Sequence, residues 1–221
     1  MSDNSQLDFF LRAAKTLSIP LSPRTVPPFQ IYFRELRAWN EKINLTSIIE
    51  EKEVYINHFI DSLIPERLIP QNSNVIDIGS GGGFPGIPLK IIRPDIQVTL
   101  ADASQKKVFF LRHTIRTLGL KGIEAIHERV ENLPSLNCSY QVCISRAFAS
   151  LPKYLSTAMA LRAPKGIIIA MKGPNVQTEL NAIESHISLL GISIIHFESY
   201  ILPFTNKRRT IIVFGQGKRF T

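Results

Sequence analysis

Residues 77–86, Asp77-Ile-Gly79-Ser-Gly81-Gly-Gly83-Phe84-Pro85-Gly86, begin within the aliphatic run Val75–Ile78 and hold five glycines in the eight positions 79–86. Glycine at that density marks backbone that turns tightly and lets a ligand approach where a Cβ would collide. Two parses are open. Gly81-x-Gly83-x-x-Gly86 has the spacing that cradles a dinucleotide pyrophosphate, a weak pattern by itself. Asp77-x-Gly79-x-Gly81-x-Gly83 is instead headed by an acid at a strand's end. An acid aimed at the pocket repels a pyrophosphate and suits a cationic amino-acid group. Pro85 also removes an N–H that phosphates would need at a helix start. Both points favour the second parse.

Asp102 lies 23 residues beyond Gly79, near the spacing at which a carboxylate accepts hydrogen bonds from a ribose diol. A helix N-cap is the rival reading. The third aliphatic run leads into "HERVENLP", where Val130 and Glu131 would flank an adenine, one by apolar contact and one by hydrogen bonding. The fourth run ends in Arg146, and a guanidinium at a strand's carboxyl end is costly to bury without a purpose. It is the candidate catalytic residue, expected to grip a ligand carboxylate or a substrate phosphate bidentately. A surface ion pair is the alternative.

The elements that must hold these residues follow from periodicity. "LDFFLRAAKTL" (7–17), "PPFQIYFRELRAWNEKI" (27–43) and "EKEVYINHFIDSL" (51–63) read as helices, the second starting at Pro27 and Pro28 and stopping at Asn44. The stripe Phe29, Tyr32, Phe33, Leu36 and Trp39 is read as core packing. His58 and Asp61, three apart on one helix face, are read as structural support. From Val75 onward, short aliphatic runs alternate with helical stretches, which means βαβ units and an α/β fold with a mostly parallel sheet covered on both faces. The last two runs have no helix between them and are expected to close the seven-stranded sheet as an antiparallel hairpin. Two units are expected: a helical cap over 1–70 and a ligand-binding domain over 71–221.

Composition narrows the partners. Of 221 residues, 44% are hydrophobic and 20% charged, which is globular, and 26 Lys+Arg against 18 Asp+Glu leave a net charge of +8. That surplus favours a polyanionic partner. No apolar run approaches the ~20 residues that cross a bilayer, and the N-terminus lacks a basic, cleavable leader pattern, so a cytoplasmic chain without membrane partners is expected. Cys138 and Cys143 match neither a metal clip nor a redox motif, and no metal is expected. Cys143 is read as a small buried hydrophobe.

Together these segments resemble the bacterial small-subunit ribosomal RNA guanine-N7 methyltransferase family, also called glucose-inhibited division protein B. "WNEKINLTSI", "HFIDSL", "IDIGSGGGFPGIPL", "RPD", "LADASQKKVFFL", "ISRAFASL" and "MKG" stand in that family's order and spacing. The resemblance implies a class I methyltransferase fold of Rossmann-like type, S-adenosylmethionine as cofactor and 16S ribosomal RNA or the small subunit as substrate. It implies that Gly79, Phe84, Val130, Glu131 and Arg146 line the cofactor pocket, with Asp77, Gly81 and Gly83 in the first motif and Asp102 at the ribose. One departure is "SQKK" after Ala103, where relatives often carry a glycine; Lys106 and Lys107 keep the charge. The Asn/Asp-Pro-Pro-aromatic motif of many base-amino methyltransferases is absent after the fourth strand, which argues against exocyclic amines as targets. Guanine N7 already carries a lone pair, so its attack on a sulfonium methyl needs alignment and dryness rather than a general base.

Basic residues for the RNA backbone are Lys106, Lys107, Arg112, Arg116, Lys172, Lys207, Arg208, Arg209, Lys218 and Arg219. Whether they share a face is not written in the sequence. A monomer is the expected state. Two other readings are carried: an NAD(P)-dependent oxidoreductase built on Gly81, Gly83, Gly86 and Asp102, and a non-catalytic RNA-binding module.

Overall fold

The computed structural model describes residues 3–129, 131–133, 139–146, 149–174, 176–181 and 183–216. Seven strands form one sheet: β1 (Asn74–Ile78), β2 (Gln97–Asp102), β3 (Ile123–His127), β4 (Tyr140–Arg146), β5 (Arg162–Lys172), β6 (Ser193–Ile201) and β7 (Arg208–Gly215). Their order is β3-β2-β1-β4-β5-β7-β6. The pairs β1–β2, β2–β3, β1–β4 and β4–β5 are parallel, and β7 runs antiparallel to both β5 and β6. The α/β class, the mostly parallel sheet and the closing hairpin are therefore as expected. One consequence matters for function. The carboxyl ends of β1, β2, β4, β5 and β6 and the amino end of β7 all meet at the same edge of the sheet.

The strands read as continuous aliphatic runs because both faces are buried and successive side chains alternate between them. Val142, Ile144, Ile169, Met171, Ile211 and Val213 enter one apolar layer. Cys143, Ile168, Ala170, Ile212 and Phe214 enter the other, against Tyr154, Leu155 and Ala158 of α7 (Leu151–Leu161). Burial pushes the Cys143 thiol up to about 12, so it behaves as the inert hydrophobe expected. Cys138 lies outside the described residues.

The first layer is completed by α1 (Asp3–Thr16), α2 (Val26–Asn40), a third helical segment, and α5 (Gly86–Ile92) and α6 (Gln105–Thr117). The third segment begins as α3 (Glu51–Val54), widens to a π-helix over Tyr55–Ile60, and continues through α4 (Asp61–Leu63) into a 3-10 turn over Ile64–Leu68. The aromatic stripe of α2 is core, as read: Phe29, Tyr32, Phe33 and Leu36 are buried and Trp39 packs against them. The end of α2 differs from expectation. Asn40, not Asn44, stops it, because the Asn40 carboxamide oxygen accepts the N–H groups of Leu45 (2.8 Å) and Thr46 (2.9 Å) and turns the chain out of the helix.

Phe59, fully buried in the π-helical turn, joins these helices to the loop after β1. Its ring lies 5.2 Å from those of Phe29, Tyr32 and Tyr55 and 6.1 Å from that of Phe84. Replacing it with alanine opens a cavity that these four aromatic neighbours cannot fill by small shifts. The expected cost is about 3–5 kcal/mol, read as a lower urea midpoint at unchanged slope. A loss below about 1 kcal/mol would show that these helices are not packed as one core.

Candidate active site

The glycine loop is shaped from beneath. Gly83 has φ +92°, and a Cβ there would come 2.5 Å from the Tyr32 hydroxyl and 2.6 Å from Ile87 Cδ1. Tyr32, buried against Phe84 and Phe59, donates its hydroxyl to the Gly82 carbonyl and fixes the loop's height over the helices. At Gly86 a Cβ would sit 2.2 Å from Leu100 Cδ2, so this glycine lets α5 approach β2. The loop spends its donors internally. Gly79 and Ser80 donate to the Ala101 carbonyl, Gly83 and Phe84 to the Ser80 carbonyl, Gly81 to Asp102 Oδ2 (2.9 Å) and Gly86 to Asp77 Oδ2 (2.9 Å). With Pro85 lacking an N–H, little of this loop is left to bind a pyrophosphate.

Two cavities flank the crossover between β1 and β4. The first, about 270 Å³, lies over the ends of β1 and β2 and is lined by Ile78, Gly79, Ala101, Asp102, Ala103, Glu128, Arg129, Glu131, Leu133 and Lys153. Three carboxylates face two cations here, with Ile78, Ala101 and Leu133 as apolar walls. Asp102 does more than either sequence reading asked of it: Oδ2 holds Gly81 N–H, and Oδ1 accepts Ser104 N–H at 2.8 Å just before α6. Glu131 is exposed and pairs with Lys153 at 2.9 Å across the mouth. The lining suits a neutral or cationic nucleoside with hydroxyls to donate, so these residues fit S-adenosylmethionine.

The second cavity, about 370 Å³, lies over the ends of β4 and β5. It is lined by Ile48, Asn57, His58, Asp61, Arg146, Met171, Lys172, Gly173 and Arg209. Arg146 opens into this cavity and does not line the first. Its guanidinium donates to the Asn57 carbonyl (2.9 Å), Asp61 Oδ2 (3.2 Å) and His58 Nδ1 (3.1 Å), and stands 4.9 Å from the Phe84 ring centroid. His58 stacks on Phe84 at 4.6 Å and 17°. Phe84, buried, therefore forms the wall behind Arg146. Of the five guanidinium N–H groups, three are engaged among the described residues, which leaves two for a ligand. Asp61 also accepts the Tyr200 hydroxyl (2.9 Å) and faces Arg209 Nε (3.6 Å).

Other sequence-selected residues distribute unevenly. Asp77 lines neither cavity. It is fully buried beneath the loop, with Oδ2 on Gly86 N–H and Oδ1 without a partner among the described residues. Lys172 and Arg209 line the second cavity, and Lys207 Nζ reaches Asn57 Oδ1 at 2.9 Å. Lys172 also holds Glu179 (2.8 Å) and the Ala149 carbonyl. Arg208 is exposed at the start of β7. Lys106 and Lys107 sit in the first turn of α6, beside Asp102. Arg112 donates to the Ala125 carbonyl (2.9 Å), and neither it nor Arg116 lines either of these two cavities. Val130, Lys218 and Arg219 lie outside the described residues. Asn57, His58 and Asp61 were not singled out as ligand-lining residues; the three-residue spacing of His58 and Asp61 was the available signal.

Two buried groups titrate far from their usual ranges. Burial pushes the Asp77 carboxyl up to about 7, against the pull of Gly86 N–H and of the Arg146 charge. Burial, then the Arg146 charge, pushes His58 down to about 3. In the fold, Asp77 keeps a proton that the unfolded chain has lost between pH about 4 and 7, so its contribution to stability falls as pH rises through that window. His58 is bare in the fold where the unfolded chain is protonated, so its contribution falls as pH drops from about 6.5 toward 3. Between pH about 4 and 6.5 the two slopes oppose, each roughly 1.4 kcal/mol per pH unit. Asp77→Asn should therefore gain stability relative to wild type as pH rises from 4.5 to 6.5, and His58→Asn should lose it, in urea titrations at three pH values. Flat differences for both variants would contradict these charge states.

Comparison with known proteins agrees with this geometry. A family model described as rRNA small subunit methyltransferase G matches residues 26–210. Ribosomal RNA small subunit methyltransferase G of Geobacter sulfurreducens is 38% identical over 203 residues, covering 91% of this chain and 94% of that one. The protein of the same name from Syntrophus aciditrophicus is 41% identical over 214 residues, covering 94% and 88%. Among solved structures, TrmN from Thermus thermophilus superposes with a TM-score of 0.56 at 15% identity, covering 74% of this chain and 53% of that one. TYW2 of M. jannaschii in complex with AdoMet gives 0.53 at 15% identity, covering 70% and 73%. The solved structures share the fold. With the match spanning both cavities and the crossover between them, the chain belongs to the rRNA small subunit methyltransferase G family.

Proposed function

We propose that this chain transfers the methyl group of S-adenosylmethionine to N7 of a guanine in 16S ribosomal RNA. The observation that carries the reading is the pair of cavities at one sheet edge. One has a carboxylate-rich lining fit for a nucleoside, and the other is ringed by Arg146, Lys172 and Arg209 and fit for a polyanion. The oxidoreductase alternative needs donors for a pyrophosphate, and the glycine loop has committed nearly all of its own.

When bound, S-adenosylmethionine supplies an electrophilic methyl on its sulfonium. The chain's part is to hold and to exclude water. Asp102 is assigned to the ribose hydroxyls, the Gly79 backbone to close approach of the nucleoside, and Glu131 with Val130 to the adenine; that Gly79, Asp102 and Glu131 line one cavity supports this. Arg146 is assigned to the RNA side, where its two uncommitted N–H groups suit a phosphate or a carbonyl of the target nucleotide. Guanine N7 would use its own lone pair on the methyl that the cofactor supplies, so these residues would need only to hold the two together. No side chain need remove a proton before attack, and His58, with both ring nitrogens engaged, is not positioned to do so. The segment 1–70 is read as a cap that walls the RNA side, since Ile48, Asn57, His58 and Asp61 all come from it. Among the described residues no helix is long and apolar enough to cross a membrane.

The test is transfer from methyl-labelled S-adenosylmethionine to unmodified small-subunit RNA, free and in particles, followed by nucleoside analysis. Label in N7-methylguanosine is the expected result; label in another nucleoside would overturn the target atom, and cofactor binding without transfer to either substrate would overturn the enzyme. Asp102→Ala should weaken cofactor binding at least tenfold by titration, because it removes a ribose acceptor and frees Gly81 N–H together. An unchanged titration would remove Asp102 from the ribose.

A further inference from the structure

The turn between β6 and β7, residues 202–207, lies at the same sheet edge as the two cavities. It is closed by Leu202 N–H on the Lys207 carbonyl (3.0 Å), by the Thr205 hydroxyl on the Leu202 carbonyl (2.9 Å), and by Lys207 N–H on the Thr205 hydroxyl (3.1 Å). At its tip Phe204 adopts φ +61° with 56% of its surface exposed. A turn that needed only to reverse the chain would place glycine or asparagine there, since a bulky residue in the left-handed region carries strain. Anchoring does not explain the ring either, because Leu202 and Pro203 already bury the turn into the core. The turn thus joins a strained backbone to a half-exposed aromatic ring.

The ring's surroundings identify what it presents to. Phe9 of α1 backs it at 4.9 Å between centroids. Arg12 Cζ stands 6.0 Å from the Phe204 centroid and Lys52 Nζ 5.8 Å from that of Phe9. Arg12 also faces Asp8 at 3.9 Å, both largely exposed, which leaves the guanidinium free to move. Lys207, three residues along the turn, reaches Asn57 at the rim of the second cavity, and Arg208 follows, exposed. An exposed aromatic face collared by cations is the chemistry that takes a nucleobase with its flanking phosphates. An apolar protein partner would not need the charges, and a phosphate alone would not need the ring.

We propose that Phe204, backed by Phe9, is a stacking platform for an unpaired base of the RNA strand whose target guanine enters the second cavity. This rests on the RNA-methylating function proposed above. Stacking of this kind fixes where a strand runs without reading its sequence, so it should act on RNA binding and leave the methyl-transfer step untouched.

The test uses the full chain carrying Phe204→Ala, Phe204→Gly or Phe204→Tyr. Binding of a fluorescein-labelled single-stranded RNA and of small-subunit RNA is measured separately from methyl transfer. Alanine and glycine should each weaken RNA binding and raise KM for RNA about tenfold, with kcat and the S-adenosylmethionine titration unchanged. Tyrosine should restore both to within about twofold. Glycine, at ease at this φ, should unfold no earlier than wild type, which separates loss of the ring from loss of the fold. Unchanged RNA affinity in the alanine and glycine variants overturns the platform, as does a tyrosine variant no better than alanine. If wild type binds RNA with this dependence yet transfers no methyl, the platform stands and the enzyme assignment falls. If transfer proceeds with one KM in every variant, the reverse holds.

Discussion

The buried Asp61 carboxylate is the interaction on which the second cavity depends. The residue is 2% exposed, and a buried charge persists only where it is paired and hydrogen-bonded. Its partners come from three strands: Arg146 at the end of β4, Tyr200 in β6 and Arg209 in β7. Without the carboxylate, two guanidinium groups would face each other across a partly dry cavity and swing apart. Removing one partner of such a buried pair typically costs about 3–5 kcal/mol, because the other charge is left uncompensated. Asp61 thus ties the third helical segment, the crossover strand and the closing hairpin into one rigid rim, and the shape of the second cavity follows from it.

The same edge of the sheet carries opposite charge on its two sides, and the wall between them is apolar. Phe84 and His58, stacked, stand behind Arg146, while Asp77 lies beneath the loop with one oxygen on α5. The separation has a physical use. A cationic cofactor would meet carboxylates and a polyanionic strand would meet arginines and lysine, so each binding event finds its own side of the crossover. Fixed charges in a partly water-excluded site act more strongly than they would in water and need no reorganisation when the ligands arrive.

How much of this was legible depended on whether the signal was local. The seven strands, the order of motifs and the closing hairpin were readable because aliphatic runs and intervening amphipathic stretches are patterns within a dozen residues. The glycine loop was readable as a tight turn after the first strand, but the direction of Asp77 was not. A strand residue's face is set by register with its neighbours, and here that register turns the carboxyl inward to Gly86. The partners of Arg146 were hidden for a different reason. Asn57, His58 and Asp61 lie 85 to 89 residues away in sequence, and no periodicity links an interrupted helix to the end of a later strand. The misplaced stop of α2 is a smaller case: Asn40 and Asn44 look alike in sequence, and only the side-chain capture of Leu45 and Thr46 distinguishes them.

His58 shows how completely the site is arranged for alignment. Arg146 can only donate, so the His58 Nδ1 it meets must be the acceptor, and the ring proton must sit on Nε2. Nε2–H then donates to the Thr46 hydroxyl at 2.8 Å, and that same oxygen accepts Ile48 N–H at 3.0 Å. One fixed tautomer therefore orders the 44–48 loop and places Ile48 in the cavity wall. Burial penalises a second ring proton most, and the Arg146 guanidinium facing Nδ1 adds to that, which is why the imidazole stays neutral down to about pH 3. A histidine so held cannot shuttle protons at any physiological pH. It serves as a rigid neutral spacer behind an arginine, suited to chemistry in which the nucleophile arrives already deprotonated and the protein need only hold the reactants in place.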